Sequence, residues 1–291
     1  MSTYIANEDV LTRVVPVVAA ALVVGGVAVA ALPARVGTRR ELRRRWCTWA
    51  LAAPLFLGAL CMGPFGGALL AVVLGLVAVA EYARMVRLGR GERVVLGCAA
   101  VLVPMLGILT YATPRAFDLR LVALLLVAGA LPALLSGDTA RGGERAARTV
   151  FGLLWIPVAL TGLVVLDKTV VALGVAVAFG DIGAWCGGAL LTRMGGGLAR
   201  PLSPLSPDRT WAGVFGAGIG VAAGLEVAGA FTVTLWAAVL AGCVFGGLLG
   251  SMIKREAGVK GAGTRLPGFG GLLDRIDSLL VALLLAMVVT L

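Results

Sequence analysis

The chain alternates between long apolar blocks and short polar ones. Apolar runs long enough for a membrane-spanning helix, which needs about 20 residues, fall at about 14–34, 49–64, 66–83, 94–112, 119–136, 149–167, 169–191, 213–230, 232–250 and 276–291. No repeat of fixed period interrupts them, and no polar stretch is large enough for a soluble domain. The pattern predicts an all-α, polytopic integral membrane protein with about ten transmembrane helices. We divide it into N-terminal transmembrane helices over 1–136 and C-terminal ones over 137–291, because the unusual polar segments lie in the second part. The opening "MSTYIANEDVLTRVV" lacks the basic start of a signal peptide, and the apolar run after it is too long for one. The first run is therefore read as a retained span.

The polar positions supply a topology. Five linkers, 35–48, 84–93, 137–148, 192–212 and 251–275, hold 21 of the 25 Lys and Arg residues. Counting spans places all five on one side, and the other side has Arg13, Arg115, Arg120 and Lys168. The positive-inside rule puts the basic linkers in the cytoplasm and the N-terminus outside. Localisation in the inner (plasma) membrane of a prokaryote follows as the expectation, with the active face cytoplasmic.

Composition agrees. Of the 291 residues 60% are hydrophobic, and the mean hydropathy is +1.01. The net charge of +10 would suggest nucleic acid in a soluble protein. Here the linkers account for it, together with anionic lipid or phosphate-bearing substrates, and no nucleic-acid partner is expected. The chain has no histidine, which excludes histidine acid–base chemistry, histidine triads and histidine metal ligands. Cys47, Cys61, Cys98, Cys186 and Cys243 have no metal-type spacing and read as small apolar residues.

Two linkers stand out. "TRMGGGLARPLSPLSPDRTWAGVFG", 192–216, is too rich in Gly and Pro to be plain helix. Its Ser206, Arg209 and Thr210 are candidate phosphate donors, and the competing reading is a turn beside an interfacial Trp211. "SMIKREAGVKGAGTRLPGFGGLLDRIDSLL", 251–280, gathers Lys254, Arg255, Lys260, Arg265, Asp274, Arg275 and Asp277 at the mouth of the last apolar run. Asp274 and Asp277 are spaced i, i+3, so they share a helix face in its first turn, where the helix dipole favours carboxylates. They read either as an N-terminal charge pair or as a divalent-metal site, since Mg²⁺ takes one or two carboxylates plus substrate phosphates. Metal and cations together would suit a polyphosphate. Asp181, in "AVAFGDIGAWCGG", lies inside an apolar run, where a carboxylate is costly and usually faces a polar cavity. Glu81, near a helix end beside Arg84, reads as an interfacial charge.

These segments resemble the signature of the phosphatidate cytidylyltransferases, or CDP-diacylglycerol synthases. "SMIKREAGVK", "LPGFGG" and "DRIDSLL" are similar to its Ser-x-x-Lys-Arg, Pro-Gly-His-Gly-Gly and Asp-Arg-x-Asp elements. "GDIGAWCGG" and "SPDRTWAG" resemble its Asp-x-Gly-Ala-Tyr and Ser-Pro-x-Lys-Thr-Trp-Glu-Gly segments, in the same order over roughly 179–280. The resemblance implies transfer of CMP from CTP to phosphatidic acid, at a site reached from both the membrane and water. By this carry-over Lys254, Arg255, Lys260 and Arg275 are catalytic. Asp181, Ser206, Arg209, Thr210 and Ser251 bind substrate, and Asp274 and Asp277 bind Mg²⁺, with a second cation left open. CTP, phosphatidic acid or a related lipid phosphate, and membrane lipids are the implied partners, and a homodimer is compatible.

The departures are specific. The family's Lys-Asp is here Lys260-Gly261, which removes one carboxylate, and its His is Phe269. Its Lys and Glu beside the Trp are Arg209 and Ala212. Two alternatives therefore stay open: an impaired member that binds lipid phosphate or nucleotide, and a CTP-dependent transferase or kinase acting on another lipid. A transporter fits less well, because the charges gather at one face.

Overall fold

The structure, a computed structural model, describes residues 2–31, 38–110, 119–191, 197–259, 261–263 and 270–291. It is all-α apart from one small hairpin. In chain order the helices are α1 (Ser2–Ala31), α2 (Thr38–Cys61), α3 (Gly63–Met85), α4 (Arg90–Thr110), α5 (Leu119–Leu135) and α6 (Gly142–Leu153). A π turn (Leu154–Val158) joins α6 to α7 (Ala159–Val165), and α8 (Lys168–Leu191) follows. Then come β1 (Pro201–Ser203), β2 (Ser206–Thr210), α9 (Trp211–Val227), α10 (Val233–Glu256) and α11 (Leu273–Thr290). Among the described residues, six helical stretches are long and apolar enough to cross a membrane: Val10–Ala31, Gly63–Met85, Arg90–Leu109, Gly142–Val165, Thr169–Leu190 and Val233–Glu256. Two shorter apolar helices, Leu119–Leu135 and Trp211–Val227, lie among them.

Each predicted apolar run corresponds to a helix, and the boundaries differ for local reasons. The Gly- and Pro-rich linker folds as an antiparallel hairpin, with Pro201 opposite Thr210 and Ser203 opposite Ser206. Thr210 then caps α9, its hydroxyl accepting from Gly213 N at 3.2 Å, so that helix starts earlier than hydropathy implies. Thr232 caps α10 in the same way through Leu235 N, also at 3.2 Å. Pro157 interrupts the run at 149–167. It has no N–H to give, and the π turn absorbs the mismatch while Thr161 Oγ1 donates back to Pro157 O at 2.8 Å.

Polarity is inverted relative to a soluble fold. Leu51, Leu55, Leu124, Val127, Leu134, Phe215 and Ile219 are exposed, whereas Glu81, Glu92 and Asp277 are buried. Lipid surrounds such a bundle, so apolar burial gives little drive for helix association, and close backbone packing takes its place. Glycine supplies that packing. Gly183 and Gly187 of α8 meet Gly216 and Gly220 of α9, so the two backbones touch. Gly242 and Gly246 of α10 admit the backbone of α11 at Ala282 and Ser278. Trp46 of α2 lies over Gly25 and Gly26 of α1 and donates to Leu22 O at 2.8 Å.

The packing predicts a sharp difference between two glycines. A Cβ at Gly224 would sit 2.7 Å from Ala176 Cα, a backbone atom that cannot move aside, whereas one at Gly97 would meet nothing within 4 Å. Gly224→Val should destabilise the detergent-solubilised protein by about 1–3 kcal/mol or more. Gly97→Ala should leave its thermal unfolding unchanged or slightly raised.

Candidate functional site

The charged ends of the helices meet at one end of the bundle. Arg145 of α6 donates from Nε to Glu92 Oε1 of α4 at 2.8 Å, and its Nη2 closes a second bond to the same carboxylate. Glu92 is wholly buried, so the guanidinium is its counter-charge. Arg145 Nη1 also reaches Asp138 Oδ2 at 3.1 Å. The Arg141 backbone N–H, and after it the Arg145 side chain, hold the Asp138 carboxyl below its usual value. The stability that this linkage contributes is present above the ordinary carboxylate pKa. It is lost as pH falls through the lowered folded value. Arg148 pairs with Glu144 on its own helix and with Glu256 at the end of α10, both at 2.7 Å. Tyr82 donates to Arg148 O at 2.7 Å. Described residues of three predicted basic linkers, 84–93, 137–148 and 251–275, thus lie at one end of the molecule.

The start of α11 is built from several distant segments. Leu272 at its N-cap offers no side-chain acceptor. Instead Glu81 of α3 accepts from Leu273 N at 2.9 Å. Asp274 Oδ1 takes Lys254 Nζ at 2.8 Å, and its Oδ2 accepts from Ala262 N at 2.8 Å and Gly271 N at 3.3 Å. Lys254 stands in the last turn of α10, where the helix dipole also favours a cation. Gly270 turns the chain with φ +83°, a conformation that suits glycine.

A second cluster lies deeper. Asp277 is 7% exposed and accepts at Oδ1 from Ser278 N at 2.7 Å. Gly250 leaves space for its other oxygen, where a Cβ would come within 2.8 Å. Arg209, carried on β2, lies across Gly247 of α10 and donates to Cys243 O at 3.0 Å. Asp181 of α8 is exposed and lies within electrostatic reach of Asp277, Arg209 and Arg275. It stands ten residues inside the end of α8, about 15 Å along the axis at 1.5 Å per residue. Two carboxylates and two guanidinium groups thus share one region of the bundle.

The structure divides the predicted site residues. Asp181, Arg209, Arg275 and Asp277 come together, with Lys254 and Asp274 at the rim above them. Arg255 is exposed at the end of α10, and Ser206 is partly buried in the hairpin. The Thr210 hydroxyl is used as a cap, and Ser251 donates to Gly247 O at 2.8 Å. Lys260, Arg265 and Phe269 lie outside the described residues. Among the described residues no group of three or more His, Cys, Asp or Glu is close enough to hold a metal alone. The donor chemistry still fits Mg²⁺, because two carboxylates completed by substrate phosphate oxygens are a usual set for that ion. In Asp274 three of about four acceptor directions are already taken.

Sequence reading missed Glu81. It was expected as an interfacial charge, and it is fully buried, with Oε1 lacking a hydrogen-bond partner among the described residues. The one signal was that Glu81 falls inside the predicted span 66–83, and its place near the end of that helix obscured it.

The profile of a group described as "Cytidylyltransferase family" matches residues 43–291. The chain is 32% identical over 164 residues to the phosphatidate cytidylyltransferase of Mycobacterium leprae (strain TN), covering 48% of each chain. It is 37% identical over 117 residues to that of Helicobacter pylori (strain ATCC 700392 / 26695), covering 36% of this chain and 41% of the relative. It is 42% identical over 87 residues to phosphatidate cytidylyltransferase 5, chloroplastic, of Arabidopsis thaliana, covering 27% and 22%. The chain thus spans about half or less of the length of the curated relatives it matches.

The rim network gives a stability prediction. Arg145→Leu strands the buried Glu92 carboxylate and should cost about 3–5 kcal/mol, whereas the double variant with Glu92→Leu should recover most of that loss. Unfolding in detergent, followed for both variants, measures the difference.

Proposed function

The chain belongs to the cytidylyltransferase family, and from that premise we propose that it transfers CMP from CTP to phosphatidic acid, giving CDP-diacylglycerol and pyrophosphate. One observation carries this reading: Arg209, Asp277 and Arg275 come from two other segments and lie within electrostatic reach of Asp181. Those segments are the ones that resemble the signature, and the matched relatives bear the corresponding name.

In the reaction an oxygen of the lipid phosphate bonds to the α-phosphorus of CTP. The bond from that phosphorus to the bridging oxygen breaks, and pyrophosphate leaves with the electron pair. A phosphate monoester has its second pKa near 6, so the attacking oxygen is already largely ionised at neutral pH. A chain without histidine can therefore perform the step. The remaining difficulty is electrostatic, since two anions must approach and a third must depart. Arg209 and Arg275 offer cations near Asp181, and Lys254 and Arg255 offer them at the end of α10. Lys260 joins this set by resemblance, and Ser206, Thr210 and Ser251 are the proposed polar contacts to substrate. Asp277 and Asp274 are the proposed Mg²⁺ ligands, with Asp181 facing the same space; the bound ion would neutralise phosphate charge. The positive-inside rule supports placing this end at the cytoplasmic face of a prokaryotic plasma membrane.

A second reading rests on Gly261. A Cβ there would lie 3.5 Å from Asp274 Oδ2, so the family's Asp would stand beside Asp274, and this chain lacks it. A member that binds lipid phosphate or nucleotide with slow turnover follows from that loss.

The test is incubation of the purified protein with labelled CTP, phosphatidic acid and Mg²⁺. Labelled lipid should form, and Asp277→Ala should reduce its rate by about 10²-fold or more. Absence of product across lipid phosphates and divalent metals sinks the proposal. Under the second reading Gly261→Asp should raise a slow wild-type rate by about tenfold or more, and an unchanged rate removes that reading.

A further inference from the structure

Glu81 belongs to the N-terminal part of the chain, far in sequence from every segment that carries the site. It is nevertheless fully buried against the start of α11. Two independent observations describe what it does there. Its Oε2 accepts from Leu273 N at 2.9 Å, supplying the cap that Leu272 cannot. The chain around it has also made room for the carboxylate: a Cβ at Gly271 would sit 2.8 Å from Oε2, and one at Gly263 would sit 3.0 Å from Oε1. Both flanks of the loop before α11 therefore rest on this one side chain.

The same loop holds Asp274. Ala262 N and Gly271 N donate to its Oδ2, and Lys254 pairs with its Oδ1. A chain of contacts thus runs from Glu81 through the loop backbone to Asp274 and Lys254, and along the first turn of α11 to Asp277. Resting on the CMP-transfer reading, we propose that Glu81 is a positioning residue. It fixes the register of the two described flanks, 261–263 and 270–272, and of the first turn of α11, and with them the places of Asp274, Arg275 and Asp277. It touches no substrate. Its contribution is the geometry of an acceptor at the right reach, so an amide oxygen in the same place can replace it and a shorter carboxylate cannot.

The experiment compares wild type with Glu81→Ala, Glu81→Gln and Glu81→Asp in detergent, by two readouts. The first is amide hydrogen exchange at Ala262, Gly271 and Leu273, with Leu235 at the start of α10 as a distant control. The second is kcat and KM for CTP on the folded fraction. Glu81→Ala should speed exchange at the three loop amides and leave Leu235 unchanged. It should lower kcat by about tenfold or more, with KM for CTP held within about twofold. Glu81→Gln should restore both readouts close to wild type, and Glu81→Asp should behave like Glu81→Ala. A purely structural role would lower the unfolding temperature and leave kcat of the folded fraction unchanged, and that result overturns the proposal. If Glu81→Ala does not fold, the contrast between Gln and Asp decides, and equal behaviour of the two overturns it. If wild type transfers no CMP while exchange responds as described, the CMP-transfer reading fails and the positioning of the loop stands. Unchanged exchange overturns the positioning whatever the activity.

Discussion

A backbone N–H that enters an apolar environment without an acceptor costs several kcal/mol. At the N-cap of α11 Leu272 provides no side-chain acceptor, and a carboxylate from α3 provides one. Much else depends on that interaction. It favours glycine at Gly263 and Gly271, where a Cβ would come within 3.0 and 2.8 Å of the carboxylate oxygens. It brings the end of α3 against α11, and so commits the bundle to a fold in which early and late helices are packed together. Through the loop it also orients Asp274, whose bonds to Lys254 join α10 to α11. The knot of charge in 251–280 is thus held from outside itself.

Most of the architecture was legible in the sequence because the bilayer imposes one strong rule. Backbone groups in hydrocarbon must be satisfied within a segment, so a long apolar run is a helix almost regardless of its neighbours. The described parts of the ten runs became helices for that reason, and described residues of three linkers rich in Lys and Arg met at one end. The hairpin at Pro201–Thr210 was not legible, since three- and five-residue strands carry too short a pattern to register against Gly and Pro. The π turn at Pro157 was missed because one proline in an apolar helix predicts disturbance without its form.

The site was partly legible. Asp181 announced itself as a carboxylate in an apolar run, and Arg209, Arg275 and Asp277 came from motifs whose convergence only the fold could reveal. Glu81 and Glu92 were obscured by position. Each stands near a helix end, where a charge ordinarily reaches water, and each is instead enclosed by packing from elsewhere. Whether a terminal charge snorkels or is buried depends on the helices beside it, and the sequence of one helix does not contain that information. The division of labour between Asp274 and Asp277 was invisible for a similar reason. They share a helix face, but the loop covers one and α10 covers the other.

The ion pairs described here, Arg145 with Glu92 and Asp138, Arg148 with Glu256, and Lys254 with Asp274, all lie at the same end of the bundle. The helices are bound there like a sheaf tied near one tip. A bilayer that thins or thickens forces its proteins to tilt or bend helices at a modest cost per ångström of mismatch. The pairs tie α4 to α6, α6 to α10 and α10 to α11, so at the charged end such tilting must work against them, where the arginines and aspartates are gathered.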